Sequence, residues 1–205
     1  MNLAGEYPGR EKTYSSDVEG VILAAGFSKR AGAFKLTLDL FGKTILARCI
    51  EGMYDFCSRL IVVGGHRAAD ILPIVERYPR AGLVLNENYQ DGMFSSVRKG
   101  LEYVGRGRFF LTPGDYPLIS SDVYEKMLKT DADIVVPSYS GECGHPVLIK
   151  SSLAKEISGS GYCCLKDFID SKGYTEIKVQ DRGILLDVDS IEDFESIQRE
   201  YKCRE

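Results

Sequence analysis

Residues 21–36 read V-I-L-A-A-G-F-S-K-R-A-G-A-F-K-L. A short apolar run ends in Ala24, Ala25 and Gly26, which carry almost no side chain, and Ser28, Lys29, Arg30, Gly32 and Lys35 follow. Small residues let the backbone approach a ligand closely, and the cations neutralise whatever is bound there. Phosphate is the guest this chemistry suits best. A tight strand-to-helix turn with solvated lysines is the alternative.

Two acidic sites complement that loop. Gly114-Asp115-Tyr116-Pro117 follows the apolar run 108–112. A carboxylate on such a turn can hold a hard cation such as Mg²⁺, which takes one or two carboxylates plus substrate phosphates. An Asp there can equally serve its own turn backbone. Asp187-Val188-Asp189-Ser190 lies between a strand and a helix start. Alternation puts Asp187 and Asp189 on the same side of an extended segment. Helix capping accounts for Ser190 and partly for Asp189, and leaves Asp187 unexplained.

The run Asp91-Gly92-Met93-Phe94-Ser95-Ser96 brings two hydroxyls to a helix start, where free N–H groups can hold a phosphate, ribose or base edge. A plain N-cap at Ser95 is the simpler reading. Asn86 and Tyr89 stand just upstream. His66 and His145 are the two histidines, and each reads as a structural residue on its own. No Ser/His/Asp or Cys/His arrangement points to nucleophilic catalysis.

The elements that must position these groups are legible as alternating patterns. Apolar runs at 21–23, 60–63, 82–85, 108–112 and 134–136 predict strands, and helical periodicity predicts helices over 44–57, 67–77, 94–104 and 121–129. Thr44 is the expected N-cap of the first helix. Such alternation predicts a Rossmann-like, three-layer α/β/α fold with a mostly parallel central sheet. Ligands of such sheets bind at the carboxyl ends of strands, which places residues 24–35, 64–67, 86–96 and 113–117 along one rim. Further strands are expected at 146–149, 175–179 and 184–186, and helices at 153–157 and 162–171. A last helix begins at Ser190, where S-I-E-D forms a capping box in its Asp form. Residues 1–17 read as an N-terminal arm and 18–205 as one domain.

With 205 residues, 44% of them hydrophobic, the chain can bury a sizeable core. Its formal net charge of −4 argues against nucleic acid as a partner. No apolar run approaches the roughly 20 residues that cross a bilayer, and the opening residues lack the features of a signal peptide. A cytoplasmic enzyme is expected, with free thiols among its six cysteines, since no C-x-x-C pair or zinc-like spacing occurs.

Five ordered motifs resemble those of MobA-like nucleotidyltransferases. The loop L-A-A-G-x-S-x-R-x-G-x-x-K is Leu23, Ala24, Ala25, Gly26, Ser28, Arg30, Gly32 and Lys35. N-x-x-Y-x-x-G-M-x-S-S is Asn86, Tyr89, Gly92, Met93, Ser95 and Ser96. Gly114, Asp115 and Pro117 form G-D-x-P, and residues 144–147 form G-H-P-V. Asp187, Asp189, Ser190, Glu192 and Asp193 form D-x-D-[ST]-x-E-D. The match runs over about residues 18–200. Within this family the sequence is most similar to the molybdenum-cofactor cytidylyltransferases, whose loop reads L-A-A-G where the guanylyltransferase branch reads L-A-G-G.

The resemblance implies transfer of CMP from CTP to the terminal phosphate of molybdopterin, with Mg²⁺ and release of pyrophosphate. It implies that residues 23–26, Ser28, Asn86, Gly92, Ser95 and Ser96 hold the nucleotide. Arg30 and Lys35 would neutralise its phosphates, Asp115 and Asp189 would hold the metal, and His145 with Pro146 would face the acceptor. A molybdenum hydroxylase or its maturation factor would be a protein partner. A sugar phosphate or choline phosphate as acceptor is the alternative within the enzyme class, and a non-catalytic cofactor-delivery protein the alternative outside it. Two positions depart from the pattern. Ala31 stands where Met is usual, and residues 158–165 lack the Arg of the cytidylyltransferases' G-D-x-G-A-R stretch, on the acceptor side.

Overall fold

The computed structural model describes residues 17–26, 34–105, 107–159 and 161–202. The expected N-terminal arm, except Asp17, and the loop residues Ser28, Lys29, Arg30 and Gly32 lie outside them.

The apolar runs form strands. β1 (Val18–Ala24) is buried along its whole length. A small hairpin of β2 (Asp39–Leu40) and β3 (Lys43–Thr44) follows, and then α1 (Ile45–Tyr54), where Thr44 accepts the Ala47 amide as the expected N-cap. The chain continues through β4 (Arg59–Gly64), α2 (Ala68–Val75), β5 (Ala81–Leu85), α3 (Met93–Leu101), β6 (Arg108–Pro113) and α4 (Ser121–Leu128). Its second half comprises β7 (Ile134–Tyr139), β8 (Glu142–Cys143), β9 (Val147–Lys150), α5 (Ala154–Gly159), α6 (Leu165–Lys172), β10 (Thr175–Lys178) and α7 (Ile191–Lys202).

The main sheet runs β10-β7-β9-β6-β1-β4-β5, with β8 paired to β7. Strand β1 lies at its centre, parallel to β4 and β6. Strands β8 and β9 are the exceptions to the parallel expectation. Strand β8 is antiparallel to β7, and β9 to both β6 and β7, because the turn at Ser140 and Gly141 that follows β7 reverses the chain.

Alternation along each strand supplies the two cores. Ile22, Ala24, Leu60, Val62 and Phe110 face one side, where α1, α2, α4 and α7 contribute Ile50, Ile71, Tyr124 and Ile197. Val21, Leu23, Ile61, Val63, Phe109 and Leu111 face the other, against Val97 of α3, Ile157 of α5 and Phe168 of α6. The result is the three-layer α/β/α arrangement with a mostly parallel sheet.

Three local expectations change. Residues 184–186 are not a strand but belong to a 3-10 turn over Arg182–Leu185, which Asp181 fixes by accepting the Gly183 amide. Helix α6 begins at Leu165 rather than 162, with the Cys164 sulfur accepting the Asp167 amide. Helix α2 spans Ala68–Val75 rather than 67–77, with Pro73 inside it. The capping box at Ser190 forms as expected. The Asp193 amide donates to Ser190 Oγ at 3.1 Å, and the Ser190 amide donates to Asp193 Oδ2 at 2.8 Å. The five described cysteines are free, and no helix among the described residues is long and apolar enough to cross a membrane.

Candidate active site

Strands β1 and β6 run in register with Leu23 beside Pro113, so their carboxyl ends open side by side on one rim. The Gly114 amide donates to the Leu23 carbonyl at 2.8 Å, which fixes the turn that carries Asp115 against the end of β1. A second backbone bond brings in the far end of the chain. The Val188 amide donates to the Asp115 carbonyl at 3.0 Å, and the Val188 side chain is fully buried. Asp187 and Asp189 flank that anchored valine, so both carboxylates turn toward Asp115. Carboxylate oxygens of Asp115, Asp187 and Asp189 lie within 4.8 Å of one another.

Lys35 completes the cluster. Phe34 and Leu36 are buried on either side of it in a short 3-10 turn that ties the lysine backbone down. Its Nζ donates to Asp115 Oδ2 at 2.5 Å and to Asp189 Oδ1 at 2.8 Å. Burial works against the Lys35 charge, but Asp115 and then Asp189 outweigh it and hold the ammonium pKa above its ordinary value. For Asp187, burial first and then the charges of Asp115 and Asp189 push the carboxyl pKa up. Among the described residues, three carboxylates against one ammonium leave an excess of negative charge that suits a divalent cation. The fit is local as well as electrostatic, since Asp115 Oδ1 is buried without a hydrogen-bond partner among the described residues. A bound cation would satisfy that oxygen.

A cavity of about 530 Å³ opens beside this cluster. Leu23, Ala24, Ala25 and Gly26 line one side, Lys35, Asp115 and Asp189 one end, and Tyr89, Gly92, Met93 and Ser96 the opposite wall. Gly92, at φ +95°, is the N-cap of α3 and offers no side-chain cap, so the helix start presents bare amides. The simpler reading of Ser95 as that cap therefore does not hold. Its hydroxyl bonds the Gly92 and Asn88 carbonyls instead. Asn86 is buried, and its Nδ2 donates to Ser95 Oγ at 2.8 Å and Ser96 Oγ at 3.0 Å, while its Oδ1 accepts the Asn88 amide. That amide is committed to holding the loop and the helix start together.

Gly65 spaces the two walls. A Cβ there would stand 2.7 Å from Tyr89 Cβ and 2.8 Å from Ala25 Cβ, both of which belong to cavity-lining residues. The His66 amide donates to the Ala25 carbonyl across the same gap.

The structure thus gathers Leu23, Ala24, Ala25, Gly26, Lys35, Gly92, Ser96, Asp115 and Asp189 around one cavity. Asn86 and Ser95 line an adjoining cavity of about 760 Å³ together with Arg98 and Tyr162. His145 and Pro146 line neither. The His145 ring packs edge-on against Tyr116 at 4.7 Å, behind the Asp115 turn. Burial pushes its pKa down to about 4, with the Leu111 backbone acting in the other direction. The imidazole is therefore neutral at pH 7. Ser28 and Arg30 lie outside the described residues. Sequence reasoning passed over Gly65, and it left Asp187 without a role. The alternation that put Asp187 on the side of Asp189 was the available signal.

A nucleotide-sized cavity at the carboxyl ends of parallel strands, closed at one end by clustered carboxylates and a lysine, defines an α/β enzyme that handles nucleoside phosphates. The chain belongs to the MobA-like NTP transferase family, whose domain it matches over residues 20–166. It is similar to the molybdenum cofactor cytidylyltransferase of Escherichia coli (strain K12), with 29% identity over 189 residues that cover 91% of this chain and 98% of that protein. A probable molybdenum cofactor guanylyltransferase of Natranaerobius thermophilus is 27% identical, over only 62% of this chain and 63% of that protein. Among solved structures, a nucleotidyl transferase from Methanothermobacter thermautotroptrophicus superposes with a TM-score of 0.81 at 17% identity, covering 92% of this chain and 99% of that one.

Proposed function

We propose that this nucleotidyltransferase transfers CMP from CTP to the terminal phosphate of molybdopterin, with Mg²⁺ as the metal. The carrying observation is the joining of Asp115, Asp189 and Lys35 at one end of a cavity floored by residues 23–26. The cytidylyltransferase resemblance over nearly the whole chain, against a partial one to the guanylyltransferase, supports CTP.

In this reading the backbone of Ala24, Ala25 and Gly26 and the bare amides of α3 bind the nucleoside and its first phosphate. Lys35 and Arg30 neutralise the remaining phosphates. Asp115 and Asp189 would hold Mg²⁺, with Asp187 beside them, and that ion would supply charge neutralisation at the reacting phosphate. An acceptor phosphate oxygen forms the new bond to the α-phosphorus, the bond from that phosphorus to the bridging oxygen breaks, and pyrophosphate leaves. No proton need be removed from an ionised phosphate, so positioning and charge carry the catalysis. The acceptor lies on the Tyr116 side, where His145 backs the turn as a neutral positioning residue.

Pyrophosphate release by the purified protein with CTP and Mg²⁺ tests the acceptor. Turnover is expected with molybdopterin and not with a panel of sugar phosphates and choline phosphate. Turnover confined to a member of that panel would replace the acceptor and keep the enzyme class. No turnover with any acceptor, together with intact cofactor delivery by the Asp115→Ala variant, would favour the carrier alternative.

A further inference from the structure

The ion pairs of Lys35 bear on when the metal can bind. Its ammonium lies 2.5 Å from Asp115 Oδ2 and 2.8 Å from Asp189 Oδ1, on two of the three carboxylates that could hold a divalent cation. Mg²⁺ bonds oxygen at about 2.0–2.1 Å, so an ion held by these carboxylates and the ammonium that joins them would compete for the same small space. Two cations so close also repel strongly where water is scarce, and the Lys35 and Asp115 side chains are only 13% and 15% exposed.

We infer that Lys35 is a counter-ion gate. It holds the metal carboxylates until a nucleoside triphosphate draws its ammonium away, and only then does the metal bind tightly. The geometry allows this exchange. Lys35, Asp115 and Asp189 all line the cavity, and the lysine's four-carbon stem lets its ammonium turn from the carboxylates to a ligand bound there. A triphosphate offers the ammonium more negative charge than the two carboxylates it leaves. The ion arriving with the phosphates then takes its place and satisfies the buried Asp115 Oδ1. The same lysine therefore serves two partners in turn, which makes metal and nucleotide binding strongly cooperative. By linkage the metal must tighten the nucleotide by the same factor.

This inference rests on the nucleoside-triphosphate reading, and its test separates the two. Mn²⁺ binding is measured by electron paramagnetic resonance, with and without cytidine 5′-(α,β-methylene)triphosphate, which cannot react. The protein as it stands should bind Mn²⁺ weakly alone and much more tightly with the analogue. Lys35→Met should bind Mn²⁺ alone about ten-fold more tightly, a typical coupling size, and the gain produced by the analogue should shrink by a similar factor. Lys35→Arg keeps the charge and should keep the weak binding of Mn²⁺ alone. Circular dichroism of each variant confirms that it is folded. Unchanged Mn²⁺ affinity in folded Lys35→Met, or an undiminished gain from the analogue, overturns the gate and leaves the enzyme reading in place. Failure of the analogue to bind the unaltered protein overturns the nucleotide reading instead.

Discussion

At the scale of single residues, Asp115 carries the most weight. It touches Lys35, accepts the Val188 amide at its backbone and keeps one buried carboxylate oxygen without a partner among the described residues. It contributes little to the core, so Asp115→Asn should leave the thermal midpoint nearly unchanged. Turnover should fall by about 10²–10³-fold, as when one electrostatic group of a reaction centre is lost; pyrophosphate release beside a thermal melt measures both. His145 behaves in the opposite manner. Its folded pKa of about 4 lies below the ordinary 6.5, so the unfolded chain takes up a proton first as the pH falls. The stability it confers is complete above pH 6.5 and declines as the pH drops toward 4, by about 1.4 kcal/mol per unit. Urea titrations at pH 7, 5.5 and 4.5 should show that slope in the unaltered protein and a shallower one in His145→Gln.

At the scale of elements, the turns and helix starts place the chemistry, and their parts can be tested separately. Gly65 keeps the β1 end and the Tyr89 segment in contact. Gly65→Ala should force the walls apart at a cost of about 1–3 kcal/mol. A raised KM for the nucleotide with little change in kcat is the expected reading, because the nearest atoms a Cβ at Gly65 would meet belong to Tyr89 and Ala25 and not to the carboxylates. The capping box of α7 holds the segment that carries Asp187 and Asp189. Ser190→Ala should cost about 1 kcal/mol in chemical denaturation.

Much at this scale was legible in the sequence. Thr44, Ser190 and the buried runs of β1, β4 and β6 carry their own signals. Four-residue β9 did not disclose its direction, because an apolar run reads the same in a parallel and an antiparallel pairing. The apolar residues 184–186 read as a strand because only contact with the neighbouring turn shows that Gly183 and Asp181 close a 3-10 turn there. The spacing of Asn86 could not show that its side-chain amide joins Ser95, Ser96 and the Asn88 backbone.

At the scale of the whole molecule, the site is an outcome of topology. Lys35 and Asp189 are 154 residues apart in sequence and 2.8 Å apart in space. Helix periodicity and strand alternation speak only of neighbours, so the pairing of this lysine with these carboxylates could not be read from spacing. The sheet order provides it, with β1 beside β6 and the last segment returning to the Asp115 turn. The same order separates the tasks of the chain. Its first half supplies most of the cavity lining, and its second half brings the carboxylates and the Tyr116–His145 side.

The account as a whole turns on the identity of the transferred group. Incubation of the purified protein with molybdopterin, Mg²⁺ and either CTP or GTP labelled at the α-phosphate follows that group directly. Incorporation of label from CTP into the pterin, with pyrophosphate released in equal amount and little incorporation from GTP, is the predicted result. Label entering the pterin from GTP and not from CTP would contradict it.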